Sequence, residues 1–144
     1  MKAGFRFEKL TVWQEARALN RTIYGLTKIF SGHELYAMMS QLHRASVSVS
    51  ANIAGGAGRN SDKDFAHFLE QVYASLMEVA SLLYLSLDES YVTETEVSPL
   101  LDQLEKLGRQ IAALNRTLSV KSSKTPFARN VKSPALDLGP STLD

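Results

Sequence analysis

ASVSVSANIAGGAGRNSDKDF, residues Ala45 to Phe65, admits two readings, and the fold turns on the choice between them. Val47 and Val49 alternate with Ser46, Ser48 and Ser50, which is the period of a strand. Gly55, Gly56 and Gly58, a basic residue and a helix start follow, in the order of a phosphate-binding turn. Yet Leu42, Ser46, Val49, Ile53 and Gly56 step by four and three, which is one face of a helix. Leu35, Met38 and Met39 lead into that stripe without a turn signal. Serine and alanine suit both patterns, so periodicity alone does not decide. Context does: the chain offers no second strand candidate, and a lone strand leaves its backbone donors and acceptors unsatisfied. The segment is expected to be a helix over about residues 34–56.

The glycines then need another purpose. The phosphate-loop pattern G-x-x-x-x-G-K-[ST] fails, because Arg59 and Asn60 follow Gly58 and no glycine stands five before it. The dinucleotide pattern G-x-G-x-x-G lacks its third glycine, and no strand–helix–strand unit surrounds it. Glycines ending one helix permit a left-handed residue and a tight link into the next. Arg59 and Lys63 flank the following helix N-terminus, where exposed N–H groups attract anions, so this corner is a candidate phosphate contact.

Three further amphipathic runs surround this segment. Val12, Ala16, Leu19, Ile23, Leu26 and Phe30 predict a helix over 11–30, with Thr11 and Gln14 spaced as a capping box and FSGH at 30–33 breaking it. Phe65, Leu69, Val72, Leu76, Val79 and Leu83 predict a helix over 62–90, opened by the Ser61–Asp64 capping pair and on the order of 40 Å long. Leu100, Leu104, Leu107, Ile111, Leu114 and Leu118 form a heptad seam over 94–119. That helix starts either at a Thr93–Glu96 cap or at Ser98 with Pro99 in the first turn. The expected fold is all-α, an antiparallel up-down-up-down four-helix bundle over residues 1–120. Residues 121–144 hold three of the four prolines and no helical stripe, and are expected to be a flexible tail. Phe127, Leu136 and Leu138 offer the alternative of a short docking peptide within it.

Composition narrows the function. There is no cysteine, which excludes disulfides, thiolate metal sites and cysteine nucleophiles. His33, His43 and His67 have no ligand spacing, so no metal or cofactor is expected. Ser46, Ser48 and Ser50 have no adjacent base motif and read as small packing residues. Trp13 and Tyr24 offer rings for base stacking, but a Trp opening an amphipathic stripe is more often core. The opening MKAGFRFEKL has no apolar run of signal-peptide length, and no stretch is long enough to cross a membrane; a soluble, cytoplasmic protein is expected. Residues 1–120 carry 12 basic and 13 acidic groups, so any basic surface must come from arrangement.

Three stretches, FEKLTVWQEARALNRTIYGLT at 7–27, SQLHRASVSVSANIAGGAGRNSDKDFAHFLEQVYASLMEVASLL at 40–83 and LEKLGRQIAALNRTL at 104–118, resemble the bacterial four-helix-bundle proteins of the 23S rRNA-intervening-sequence family. Trp13, Arg44, Asn52, Gly56, Gly58, Arg59, Phe65, Phe68, Ser75 and Glu78 fall on its signature positions. The chain departs from the pattern at Gly55, where the family has an acidic residue; glycine there also loosens the end of helix two by up to roughly 1 kcal/mol. The resemblance implies ring-like homopentamers and, from relatives that accompany diversity-generating retroelements, an RNA-binding adaptor for a reverse transcriptase.

Within that frame Arg44, Asn52, Ser75 and Glu78 are expected to form a polar network that sets helix register or closes the subunit interface, because a carboxylate near a buried face must find partners. Lys106, Arg109 and Arg116 on helix four, and Arg17 and Arg21 on helix one, join Arg59 and Lys63 as candidate RNA contacts; five copies would repeat modest patches around an axis. The expected function is a non-enzymatic oligomeric scaffold that binds RNA or an RNA–protein complex. The alternative is a protein-interaction module without nucleic-acid binding, recruiting a partner through the bundle surface or the tail.

Overall fold

A computed structural model describes residues 4–31 and 35–123. The expected docking peptide around Phe127, Leu136 and Leu138, the remainder of the proposed tail and His33 lie outside these residues. A short 3₁₀ turn, Arg6–Lys9, precedes four helices: α1 Thr11–Thr27, α2 Leu35–Ala57, α3 Asp62–Asp88 and α4 Glu94–Ser123. Each helix packs on its sequence neighbours, and α1 closes the ring against α4. The cross-helix contacts run in opposite sequence order: Ser46 bonds Asn20, Ser48 bonds Ser75, and Tyr73 lies against Gly108. The architecture is an antiparallel up-down-up-down bundle. Among the described residues there is no strand.

The 45–65 segment is helical through Ala57, and its predicted stripe is the buried one. Leu42, Ser46, Val49 and Ile53 are fully removed from solvent, and Gly56 is buried with them. They meet Leu69, Val72, Leu76, Val79 and Leu83 of α3, Leu19 and Ile23 of α1, and the α4 seam at Leu100, Leu104, Leu107 and Ile111. Small side chains along α2 permit close approach, and α2 and α3 are the most extensively packed pair.

The helix ends differ from expectation in several places. Thr11 does not cap α1; Leu10 holds that position without a side-chain bond, and Gln14 Nε2 donates instead to Glu8 O at 2.8 Å. The 3₁₀ turn supplies this carbonyl and thereby braces the helix start. At its other end α1 stops at Thr27, three residues early, because Ile29 N and Phe30 N bond back three residues and tighten the chain. Phe30 is still buried, but on a turn, where its ring stacks on Tyr91 at 5.8 Å. Ser90 takes φ 60° and ends α3. Of the two starts for α4, the Thr93–Glu96 cap is the one formed: Glu96 Oε1 accepts from Thr93 N at 2.8 Å, and Thr93 Oγ1 accepts from Glu96 N at 3.3 Å. Pro99 then lies inside the helix near its start. No breaker follows Leu118 until Pro126, and α4 continues past residue 120 to Ser123.

Candidate functional site

The link between α2 and α3 is built around a glycine, but not for the reason expected. None of Gly55, Gly56 and Gly58 takes a positive φ. Gly55 and Gly56 are ordinary helical residues, and Gly58 N and Arg59 N are bonded to Ala54 O and Gly56 O. These N–H groups are spent inside the helix end and cannot cradle a phosphate. Gly56 is needed for space: a β-carbon there would lie 2.8 Å from Phe65 Cδ1 and 2.8 Å from Phe68 Cβ. Ser61 Oγ accepts from Asp64 N at 3.1 Å and starts α3 as the sequence indicated.

The two rings seated on Gly56 each carry a guanidinium. Arg59 lies over Phe68, 5.5 Å from its centroid. Arg6, from the 3₁₀ turn, lies over Phe65 at 5.6 Å and donates from Nη1 to Ala57 O at 3.0 Å. Arg6 therefore satisfies a terminal carbonyl of α2, where a cation is favoured by the helix dipole. Arg59 also sits 3.9 Å from Asp64, but both side chains are more than half exposed, so the pair is weak and screened. Lys63 is exposed in the first turn of α3, as its second residue. Arg6 was missed in the sequence because its partners are 51 residues or more away.

The other basic candidates do not form one patch. Arg17 lies over the Trp13 ring at 5.6 Å, and Trp13 meets Phe7 edge-on at 4.8 Å. Trp13 is thus covered, and Tyr24 stacks on His43 at 3.8 Å, so both rings already have partners. Arg109 pairs with Glu105 at 2.9 Å and Lys106 with Glu15 at 3.7 Å. Arg21 and Arg116 are exposed on α1 and α4.

Five of the seven basic candidates share one end of the bundle. The contacts at Asn20–Ser46, Ser48–Ser75 and Tyr73–Gly108 mark its middle. The half carrying the α2–α3 link (residues 4–18, 47–74 and 109–123) holds eight Lys and Arg against five Asp and Glu, net +3. The other half (19–31, 35–46 and 75–108) holds four against seven, net −3. Arg17, Arg59, Lys63, Arg109 and Arg116 lie in the basic half; Arg21 and Lys106 lie in the acidic half. A chain that is neutral over its described residues is polarised end to end.

The expected polar network is only partly assembled. Ser75 Oγ meets Ser48 Oγ at 2.9 Å, and Asn52 Nδ2 donates to both Ser48 O and Ser48 Oγ at 2.9 Å. Ser48, read from sequence as a packing residue, is the hub. Arg44 and Glu78 are exposed and make no hydrogen bond or ion pair among the described residues. Neither carboxylate nor guanidinium is buried, so neither is obliged to pair within the subunit. Elsewhere Thr27 Oγ1 lies 3.1 Å from Tyr24 O, to which it can donate, and 2.8 Å from His43 Nε2. Burial pushes the pKa of the His43 imidazole below the usual histidine value. Among the described residues no three His, Asp or Glu side chains are grouped to hold a metal ion, and no helix is long and apolar enough to cross a membrane.

A four-helix bundle with this α2–α3 corner defines a known class. Residues 8–113 match the 23S rRNA-intervening sequence protein family, and the chain belongs to that family. It has no match among curated proteins. The matched span runs from the 3₁₀ turn into the second half of α4; Phe5, Arg6 and Arg116 fall outside it.

Proposed function

We propose that this protein is a non-enzymatic oligomeric scaffold, a cytoplasmic homopentamer that binds RNA or an RNA–protein complex such as a reverse transcriptase with its RNA. The single observation that carries RNA contact is the charge polarity of the bundle. Positive charge collects at the α2–α3 link end, where Arg6 and Arg59 are held on aromatic rings rather than left free. Guanidinium groups fixed in this way lose little freedom on meeting phosphates. Repetition around a ring multiplies a net +3 per copy into avidity.

Assembly is supported by the outer surfaces of α2 and α3. Tyr36 and Val47 of α2 and Leu85 of α3 are exposed, Tyr36 to 81%, and Met77 and Tyr84 are exposed on the Tyr73 side of α3. Arg44 and Glu78, one of each sign, are exposed and unpaired among the described residues. A non-enzymatic role is supported by how the hydroxyls and imidazole are used: Ser48 and Ser75 bond each other, and His43 is held by Thr27 and Tyr24. The same exposed apolar groups favour a second reading, a module that recruits a protein partner.

Binding of a structured RNA, followed by fluorescence anisotropy across a salt series, tests the proposal. Affinity should fall linearly on a log–log plot, and Arg59→Glu should weaken binding and reduce the salt slope by about one or more with helicity unchanged. Absence of salt-sensitive binding would remove RNA from the proposal and move the partner module ahead.

A further inference from the structure

The basic end also carries an aromatic ring that is more than half exposed. Phe5 is 56% exposed, although it is apolar and large. It lies parallel to Phe7, with centroids 5.6 Å apart and planes 8° from each other. Its backbone is anchored, because Glu8 Oε2 accepts from Phe5 N at 2.7 Å. The next residue, Arg6, is fixed to Ala57 and Phe65. The other rings at this end are engaged: Trp13 by Phe7 and Arg17, Phe65 by Arg6, and Phe68 by Arg59. Phe5 is thus a positioned, largely exposed ring one residue before Arg6, whose guanidinium is held on the Phe65 ring, with Lys9 exposed on the same turn.

We infer that the α2–α3 link end takes single-stranded RNA, stacking an unpaired base on Phe5 while Arg6, Lys9 and Arg59 meet the flanking phosphates. The inference rests on the RNA reading above and adds the class of RNA. A duplex keeps its bases stacked on one another and offers this ring nothing, whereas a single strand can splay a base onto it. An exposed ring next to cations is the combination that single-strand binders use, and it tolerates any base, since every base has a π-face.

The test is anisotropy with the full chain and two labelled probes, a single-stranded RNA of about 12 mixed nucleotides and the duplex of the same sequence. The expected result is tighter binding of the single strand. Phe5→Ala should lower that affinity roughly five-fold or more, leave its salt slope unchanged and leave duplex binding unaffected, while Phe5→Trp keeps the affinity. Unchanged circular dichroism would verify that the variants fold. Equal binding of both probes with no effect of Phe5→Ala would overturn the inference and leave the RNA reading standing. Binding of neither probe nor of the structured RNA would overturn both.

Discussion

A β-carbon on Gly56 would stand 2.8 Å from Phe65 Cδ1, closer than carbon atoms pack. The neighbour on its other side, Phe68 Cβ, is equally close. Both residues are near the start of α3; Phe68 Cβ cannot move without its backbone, and the Phe65 ring is buried in the core. Gly56→Ala should therefore destabilise the protein by about 1–3 kcal/mol despite alanine's better helix propensity. Gly55→Ala is the control. A side chain there meets Phe68 at 3.5 Å, which is ordinary contact, and the position is exposed. It should stabilise by up to about 1 kcal/mol. Urea unfolding of the two variants checks the contrast; a stabilised Gly56→Ala would mean the rings yield.

The bundle was legible because apolar residues recur at helical spacing in all four runs, and because a lone strand has nothing to pair with. The ends of the helices were less so. The α1 stop depends on a three-residue-back bond pattern that Phe30's place in the stripe conceals, and Thr11 has the residue type of a cap without the geometry. At the site, Arg59 and Lys63 were readable from their place beside a helix start. Arg6 was not, since its role comes from Ala57 and Phe65, more than fifty positions away, which only packing brings near, and Phe5 was not, since its exposure depends on how the turn before α1 sits. Ser48 was hidden for a related reason: serine on a small-residue stripe looks like packing until Ser75 is known to face it.

Ser48 joins Ser75 of α3 to Asn52 of its own helix. Ser48→Ala leaves a hydroxyl and an amide short of a partner in a half-buried place and should cost about 1–3 kcal/mol. Ser75→Ala removes one bond while Ser48 keeps Asn52, and about 0.5–1.5 kcal/mol is expected. The double variant should lose less than the sum of the two, because the shared bond is counted once. Additive losses in chemical denaturation would show that the hydroxyls do not interact.

His43 makes stability depend on pH. Its folded pKa lies below the ordinary value because burial disfavours the imidazolium, while the unfolded chain titrates at about 6.5. Between those two values the unfolded state binds more protons than the folded one, so stability rises with pH across that window. The full contribution is present above about 6.5 and is lost as pH falls toward the folded pKa. His43→Gln keeps a polar group that can bond Thr27 Oγ1 in either sense and removes the titration. Thermal melts at pH 7.5 and 5.5 (about one unit either side of the unfolded value) should give a larger drop for the native chain than for the variant. Equal drops would assign the acid sensitivity to other groups.

Arg44 stands one turn before Ser48 on α2, and Glu78 one turn beyond Ser75 on α3. The Ser48–Ser75 contact therefore brings both to the same level of the bundle's outer face, where each is exposed and unpaired among the described residues. Near them in helical spacing are Val47, one turn after Arg44, and Leu85, two turns after Glu78, both exposed apolar groups. Between copies, a surface with one cation, one anion and apolar neighbours can satisfy itself. Reversing one charge, Arg44→Glu, would then set two carboxylates against each other and should weaken self-association about ten-fold or more. Adding Glu78→Arg restores opposite signs in the reverse sense and should recover much of the loss. Native mass spectrometry across a dilution series reads both. An oligomer indifferent to Arg44→Glu would exclude this face from the interface. A weakened oligomer that the second change repairs would assign the contact to this pair of residues, which neither helix needs for its own fold.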